Sequence, residues 1–233
     1  MNVGLYQGVA GMVASERRIE SIAHNLANLG TPAFKRSSIA TQAELVNPGK
    51  KAALATVTKK RVDFAQGLLD RTENPFDLAL LGDGFFAVEG PGGEMYTRNG
   101  SFRVDDKGVL QTIEGHMVAW KGARGRLDAV GQAITIDAAG NVSQGTRRAG
   151  QLMVVAFEDQ TKLGLGRSGY WRASADMLPV PSRAEVHQGA LERSNVNAVD
   201  ELVQLVSVQR SFDSSASLMD MIDQSYRRLN QKS

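Results

Sequence analysis

Apolar residues in the last stretch of the chain recur at heptad spacing: Leu205, Val208, Phe212, Ser215, Met219, Ile222, Tyr226 and Leu229. Polar residues fill the intervals, among them Asp200, Glu201, Gln204, Arg210, Asp213, Asp220, Asp223 and Arg227. So narrow an apolar stripe on a polar run predicts a helix over 198–229 that needs a partner along its seam. Asn197 is placed to cap it, and Asp200 stands in the first turn, where a carboxylate complements the helix dipole. A second heptad stripe runs through Leu5, Gly8, Met12, Ser15, Ile19, Ile22, Leu26 and Leu29. It predicts an N-terminal helix that ends at Gly30-Thr31-Pro32, since proline pushes the preceding residue out of the helical region.

Between the two stripes the pattern changes. Residues 35–73 show poor periodicity, with a turn at Asn47-Pro48-Gly49 and a basic run at Lys59-Lys60-Arg61 that reads as a solvated face. An extended connector with one or two short strands is expected there. From Asn74 to Leu191 the period becomes two. Candidate strands are Asp77–Leu81, Phe85–Glu89, Glu94–Arg98, Phe102–Val104, Val109–Thr112, Met117–Trp120, Ala133–Asp137, Leu152–Glu158 and Glu185–Leu191. Turn sequences such as Gly82-Asp83-Gly84, Asn99-Gly100 and Asp105-Asp106-Lys107-Gly108 separate them, which points to antiparallel pairing.

The pattern therefore predicts an α+β protein. Its N- and C-terminal helices form a discontinuous coiled-coil domain, and a central antiparallel all-β domain lies between them in sequence. The expected segments are 1–34 (N-terminal helix), 35–73 (connector), 74–191 (β-rich domain) and 192–233 (C-terminal helix). Burying one stripe is worth on the order of 10 kcal/mol, at ~1.5–3 kcal/mol per large side chain. Closing the long intervening loop costs only a few kcal/mol, because the cost grows with the logarithm of length. Val203, Val206, Leu218 and Met221 lie off the C-terminal seam and call for further partners, which points to polymerisation. The seam residues Leu5, Met12, Ile19, Ile22, Leu26, Leu29, Leu205, Val208, Phe212, Met219, Ile222, Tyr226 and Leu229 are the candidate assembly interface.

Composition narrows the function further. A net charge of +2 over 233 residues is too small to draw nucleic acid or an acidic membrane by bulk attraction. The absence of cysteine excludes thiol chemistry and cysteine-based metal sites. The apolar run Val3–Ala14 is too short to span a bilayer and lacks the basic n-region of a signal peptide. His24, His116 and His187 are isolated, and no nucleophile elbow, phosphate loop or zinc motif accompanies them. Gly164 to Gly169 matches neither glycine fingerprint and reads as a flexible turn. Catalytic, cofactor-binding and metal-binding residues are all expected to be absent, and the chain reads as a non-enzyme.

Several blocks together resemble one family. Asn25-Leu26-Ala27-Asn28-Leu29-Gly30-Thr31-Pro32-Ala33-Phe34-Lys35-Arg36 resembles the N-terminal signature of the bacterial flagellar rod and hook proteins. Val62 to Gly67 and Asn74 to Ala79 look like the segments leading into that family's β domain. Gly82-Asp83-Gly84-Phe85-Phe86 and Tyr96-Thr97-Arg98-Asn99-Gly100-Ser101-Phe102 are similar to its β motifs. Gly189 to Asn197 and Val208-Gln209-Arg210-Ser211-Phe212 are similar to its C-terminal signature. Ala33 and Arg193 depart from the pattern, standing where the family commonly has glycine.

The resemblance implies a structural subunit of the flagellar basal-body rod, located where the rod spans the periplasm. Such a subunit polymerises into a helical tube that transmits torque from motor to hook. Implied partners are further copies of the chain, proximal and distal rod subunits and the flagellar type III export apparatus, with no nucleic acid and no membrane insertion. The compact connector looks most like the proximal rod protein adjoining the distal rod, with a distal rod subunit as the alternative. A periplasmic enzyme acting on peptidoglycan would need a carboxylate or metal constellation, and the sequence offers none.

Overall fold

The computed structural model describes residues 3–46, 53–128, 131–166 and 169–230, with side chains described over 8–40, 59–128, 131–166, 169–222, 224–225 and 227–228. The chain divides into two compact units. One gathers Met1–Leu29, Arg36–Asp63 and Val196–Ser233, and the other gathers Gly30–Lys35 and Phe64–Asn195.

The first unit contains helix α1 (Val3–Ala27), strands β1 (Ser37–Val46) and β2 (Ala53–Val62), and helix α2 (Ala198–Asn230). Asn197 caps α2 as expected: its side-chain oxygen accepts the Val199 backbone N–H at 3.0 Å, satisfying a donor that the first helical turn leaves unpaired. The two helices pack antiparallel. A Cβ on Gly8 would lie 2.9 Å from Met219 Sδ, one on Gly11 would lie 3.6 Å from Ser215 Oγ, and Asn25 bonds Glu201. A rise of 17 residues along α1 thus matches a fall of 18 along α2.

The stretch expected as an extended connector with short strands contains a hairpin of two ten-residue strands, paired from Ser37–Val62 to Val46–Ala53. Its strands, Ser-Ser-Ile-Ala-Thr-Gln-Ala-Glu-Leu-Val and Ala-Leu-Ala-Thr-Val-Thr-Lys-Lys-Arg-Val, mix polar and apolar residues on both faces, so no clean period-two hydrophobic signal marked them.

The second unit is β-rich. Its strands are β3 (Leu69–Arg71), β4 (Leu78–Leu81), β5 (Phe85–Gly90), β6 (Gly93–Thr97), β7 (Phe102–Val104), β8 (Leu110–Thr112) and β9 (Met117–Val118). They continue with β10 (Ile134–Ile136), β11 (Asn141–Gln144), β12 (Arg147–Gln151), β13 (Val154–Ala156), β14 (Gly164–Leu165), β15 (Trp171–Arg172), β16 (Val180–Pro181), β17 (Glu185–Gln188) and β18 (Ala190–Glu192). Among the described residues every pairing is antiparallel, in keeping with the α+β expectation. The largest sheet runs β14-β15-β6-β5-β9-β8-β7, with β13 also alongside β5 and β16 beyond it. Leu78, Leu80, Phe86, Val88, Leu110, Val118, Val142 and Leu152 form a core closed to solvent, with Phe86 meeting Phe102 edge-to-face.

Two strand expectations need correction. The run Glu185–Leu191 is not one strand, because Gly189 takes a φ of 71° and breaks the pleat. The halves then pair with different partners, β17 with β4 and β18 with β3. The β11–β12 hairpin lies where the sequence showed only a turn followed by polar residues. Its inward side chains, Val142 and Gln144, include an amide whose bonds to the Asp128 and Gln132 carbonyls replace an apolar signal.

Candidate assembly surface

The heptad positions of α1 line up on the side that meets α2. Ile22 is buried, and Met12, Ile19, Leu26 and Leu29 are half-buried. Along α2, Leu205, Val208, Phe212, Met219 and Ile222 are each half-buried. Small residues at Gly8, Gly11 and Ser15 allow close approach of the helix backbones, with Met219 filling the space above Gly8. The side chains of Leu5, Tyr226 and Leu229 lie outside the described residues.

The same unit contains a polar clamp that the periodicity did not reveal. Glu201, read from the sequence as part of the polar face of α2, is 0% exposed. Its carboxylate accepts Arg36 Nε at 2.5 Å and Asn25 Nδ2 at 3.1 Å. Asn25 itself is saturated, donating also to the Ser37 carbonyl at 2.8 Å and accepting the Ser37 N–H at 2.9 Å. Ser21 adds a hydroxyl bond to the same carbonyl, and Arg36 reaches Gln204. The end of α1, the start of β1 and the first turn of α2 are therefore tied together around one buried carboxylate, whose own bonds to Arg36 and Asn25 are charge-assisted. The sequence hint was Asn25, an amide next to the seam residue Leu26.

The remaining face of α2 is apolar yet uncovered. Val199, Leu202, Val203 and Val206 are each at least half exposed, as are Leu218 and Met221 further along. Arg210, Asp213 and Asp220 share this exposed side. On α1, Val9, Val13, Arg17, Glu20 and His24 fall at spacings of three and four residues and are all exposed.

The β-rich unit holds its own buried ion cluster. Glu192, 1% exposed, accepts Lys35 Nζ at 2.7 Å, the Gly67 N–H at 2.9 Å and Arg98 Nε at 3.0 Å. Arg98 also donates to the Gly82 and Gly84 carbonyls, and Lys35 to that of Ala65, so each cation is satisfied. This explains the arginine in the Tyr96-Thr97-Arg98 motif: it anchors the Gly82–Gly84 turn. Ala33, the departure from glycine, adopts a φ of 56° all the same, while its N–H donates to the Glu192 carbonyl at 2.7 Å. In the β8–β9 turn, burial raises the Glu114 carboxyl pKa, but the Tyr170 hydroxyl at 2.6 Å and further hydrogen bonds outweigh it and hold the group below its ordinary value. Burial and that carboxylate push the Tyr170 hydroxyl upward.

Among the described residues no group of three or more His, Asp or Glu side chains could hold a metal ion, and no helix is long and apolar enough to cross a membrane. The histidines lie apart. His24 is on α1, His116 packs edge-to-face on Tyr170, and His187 lies on β17 near Glu185.

Residues 187–232 match the family described as flagellar basal body rod FlgEFG protein C-terminal, and residues 79–144 match the flagellar hook protein FlgE/F/G D1 domain. The flagellar basal-body rod protein FlgF of Caulobacter vibrioides is 34% identical over 236 residues, covering 94% of this chain and 93% of the relative. FlgF of Escherichia coli is 32% identical over 245 residues, covering 96% and 94%. The flagellar basal-body rod protein FlgG of Bacillus subtilis is 28% identical over 256 residues, covering 97% of each chain.

Proposed function

The chain belongs to the flagellar basal-body rod protein family and is a structural component of the basal-body rod, and from that premise we propose that it polymerises through its helices into a helical tube that transmits torque from motor to hook. The supporting observation is the second apolar stripe of α2. One stripe is occupied by α1, while Leu202, Val203 and Val206 remain exposed on a helix too polar to stand alone. Covering such a stripe is what further subunits would do.

In this reading residues 1–34 and 192–233 form the coiled-coil domain lining the tube, 35–73 connect, and 74–191 form a separate β-rich domain. The seam from Leu5 to Leu29 and from Leu205 to Leu229 is the assembly interface. Partners are further copies, the proximal and distal rod subunits and the flagellar type III export apparatus that delivers the chain. The work is mechanical: packed stripes resist twisting, and no bond is made or broken. We place the chain in the proximal rod next to the distal rod. Its connector is short, and the alignment with the Bacillus FlgG needs more positions than that with the Caulobacter FlgF.

Electron microscopy of basal bodies from a strain lacking this chain tests the reading. Loss or truncation of the rod is expected, and normal rods overturn it. Phe212→Asp adds a narrower test by placing a charge in the half-buried seam. It should abolish assembly while the β-rich unit melts as before, and intact rods from that variant overturn the seam assignment.

A further inference from the structure

Strands β1 and β2 form a two-stranded ribbon, and among the described residues no third strand joins it. Its base is fastened to the helices of its own chain. Asn25 on α1 bonds both Ser37 and the Glu201 carboxylate, Arg36 reaches Glu201 and Gln204, and Ile39 lines a groove with Ile22 and Val208. From Ser37 to Val46 the ribbon runs for ten residues, about 30 Å at ~3.3 Å per residue. A free two-stranded hairpin is only marginally stable in water and needs a further strand or a helix to pack on.

The pairing fixes which residues share a ribbon face. Ser37 with Val62, Ile39 with Lys60, Thr41 with Thr58, Ala43 with Thr56 and Leu45 with Leu54 lie on one face, because residues two apart in a strand fall on the same side. The inner part of that face, through Ser37 and Ile39, is the part fastened to the helices. The outer part carries no charge and ends on the Leu45–Leu54 pair. A matching surface exists on α2. Leu202, Val203 and Val206 wall an open groove of about 820 Å³, with Arg210 its single charge among the described residues. Ser207, Ser211 and Ser214 on its other side are small enough to leave it wide.

The outer ribbon cannot cover that groove in its own chain. Leu45 stands about 26 Å along the ribbon from Ser37. Val203 lies within about 15 Å of Ser37, one side-chain bridge and half a helical turn away. Leu45 and Val203 are therefore about 10 Å or more apart within one copy. We infer that the outer half of the β1–β2 ribbon in one copy packs on the Leu202–Val203–Val206 groove of α2 in a second copy, with the Leu45–Leu54 pair over Val203. The inference rests on the polymerisation reading and names the surfaces that carry it. The contact joins unlike patches of copies that point the same way. Each copy offers its ribbon to one neighbour and receives one from another, so the contact propagates rather than closing in a dimer.

The chain has no cysteine, so an introduced pair reports this contact alone. A disulfide spans a Cα separation of at most ~7 Å, so one between positions 45 and 203 joins two copies. Basal bodies from cells carrying Leu45→Cys with Val203→Cys in place of the natural chain should, once oxidised, yield a ladder of covalent multimers. A mixture of the two single variants should yield dimers and nothing longer. Leu45→Cys with Gln224→Cys, exposed on α2 about 30 Å further along, should yield monomer only. Monomer alone, an intrachain bond, or equal crosslinking of the Gln224 pair in rods that assemble overturns the ribbon contact. Normal rods in cells deleted for the chain overturn the polymerisation reading beneath it. Should the cysteine pair stop rods from forming, charge substitution decides. Leu45→Lys and Val203→Asp each set a lone charge in the contact and should lower assembled subunit by roughly tenfold, and the two together should recover it roughly several-fold. No recovery, or single variants that assemble normally, overturns the proposal.

Discussion

Replacing Glu192 by alanine removes the carboxylate that neutralises both Lys35 and Arg98 in the β-rich unit. All three side chains are almost wholly buried, so water cannot take over the lost role. Breaking a buried ion cluster by deleting one partner costs ~3–5 kcal/mol, because the charges left behind stay desolvated. Arg98 retains the Gly82 and Gly84 carbonyls and Lys35 retains that of Ala65, which places the expected loss toward the lower end of that range. Against a typical domain stability of ~5–15 kcal/mol this is a large fraction, and it corresponds to a fall in Tm of roughly 10–15 °C. The assay is urea unfolding followed by tryptophan fluorescence. Both tryptophans, Trp120 and Trp171, lie in this unit and report on it alone. The midpoint should fall with an unchanged denaturant slope. Glu192→Gln, which keeps an acceptor but not the charge, should fall between the natural chain and the alanine variant. A loss below about 1 kcal/mol for Glu192→Ala would refute the claim that the cluster fastens the unit.

Three further outcomes follow from other positions. Ala33→Gly should stabilise the β-rich unit by roughly 0.5–1 kcal/mol in the same urea assay, since a left-handed φ costs an L-residue more than glycine's extra freedom costs; a loss of stability would contradict this. Gly100→Ala should destabilise by ~2 kcal/mol or more, because the added methyl would lie 1.7 Å from the Leu78 carbonyl oxygen, which is backbone and can yield only by moving β4; thermal melting decides it. The Glu114 carboxyl has a folded pKa below its ordinary 4.5, so its contribution is present above the unfolded value and is lost as pH falls through the folded one. Tyr170→Phe should accordingly flatten the dependence of stability on pH below 4.5, and an unchanged acid profile would remove Tyr170 as the cause.

Much of the architecture was readable from the chain because it rests on periodicity. A heptad stripe on a polar helix, an asparagine cap and period-two runs between glycine turns are local signals, and they placed both helices and most strands of the sheet. What escaped lacks such a signal. The β1–β2 hairpin mixes polar and apolar residues on both faces, and β11–β12 buries an amide through hydrogen bonds, so neither advertises a buried side. Asn99-Gly100 read only as a turn, and the close approach of Gly100 to the Leu78 backbone, which requires glycine there, has no local signal.

The sequence by itself determined the fold class, the paired terminal stripes and the lack of catalytic motifs, because each follows from residue type and spacing within a few turns or strands. Only the tertiary structure decided the fate of Glu201 and Glu192. Both are charged residues that composition assigns to solvent, and both are enclosed by cations more than 90 positions away in the chain, Arg36 for Glu201 and Lys35 and Arg98 for Glu192. A buried carboxylate becomes intelligible only once its partners are in place, since its desolvation is tolerated by bonds that no local pattern encodes.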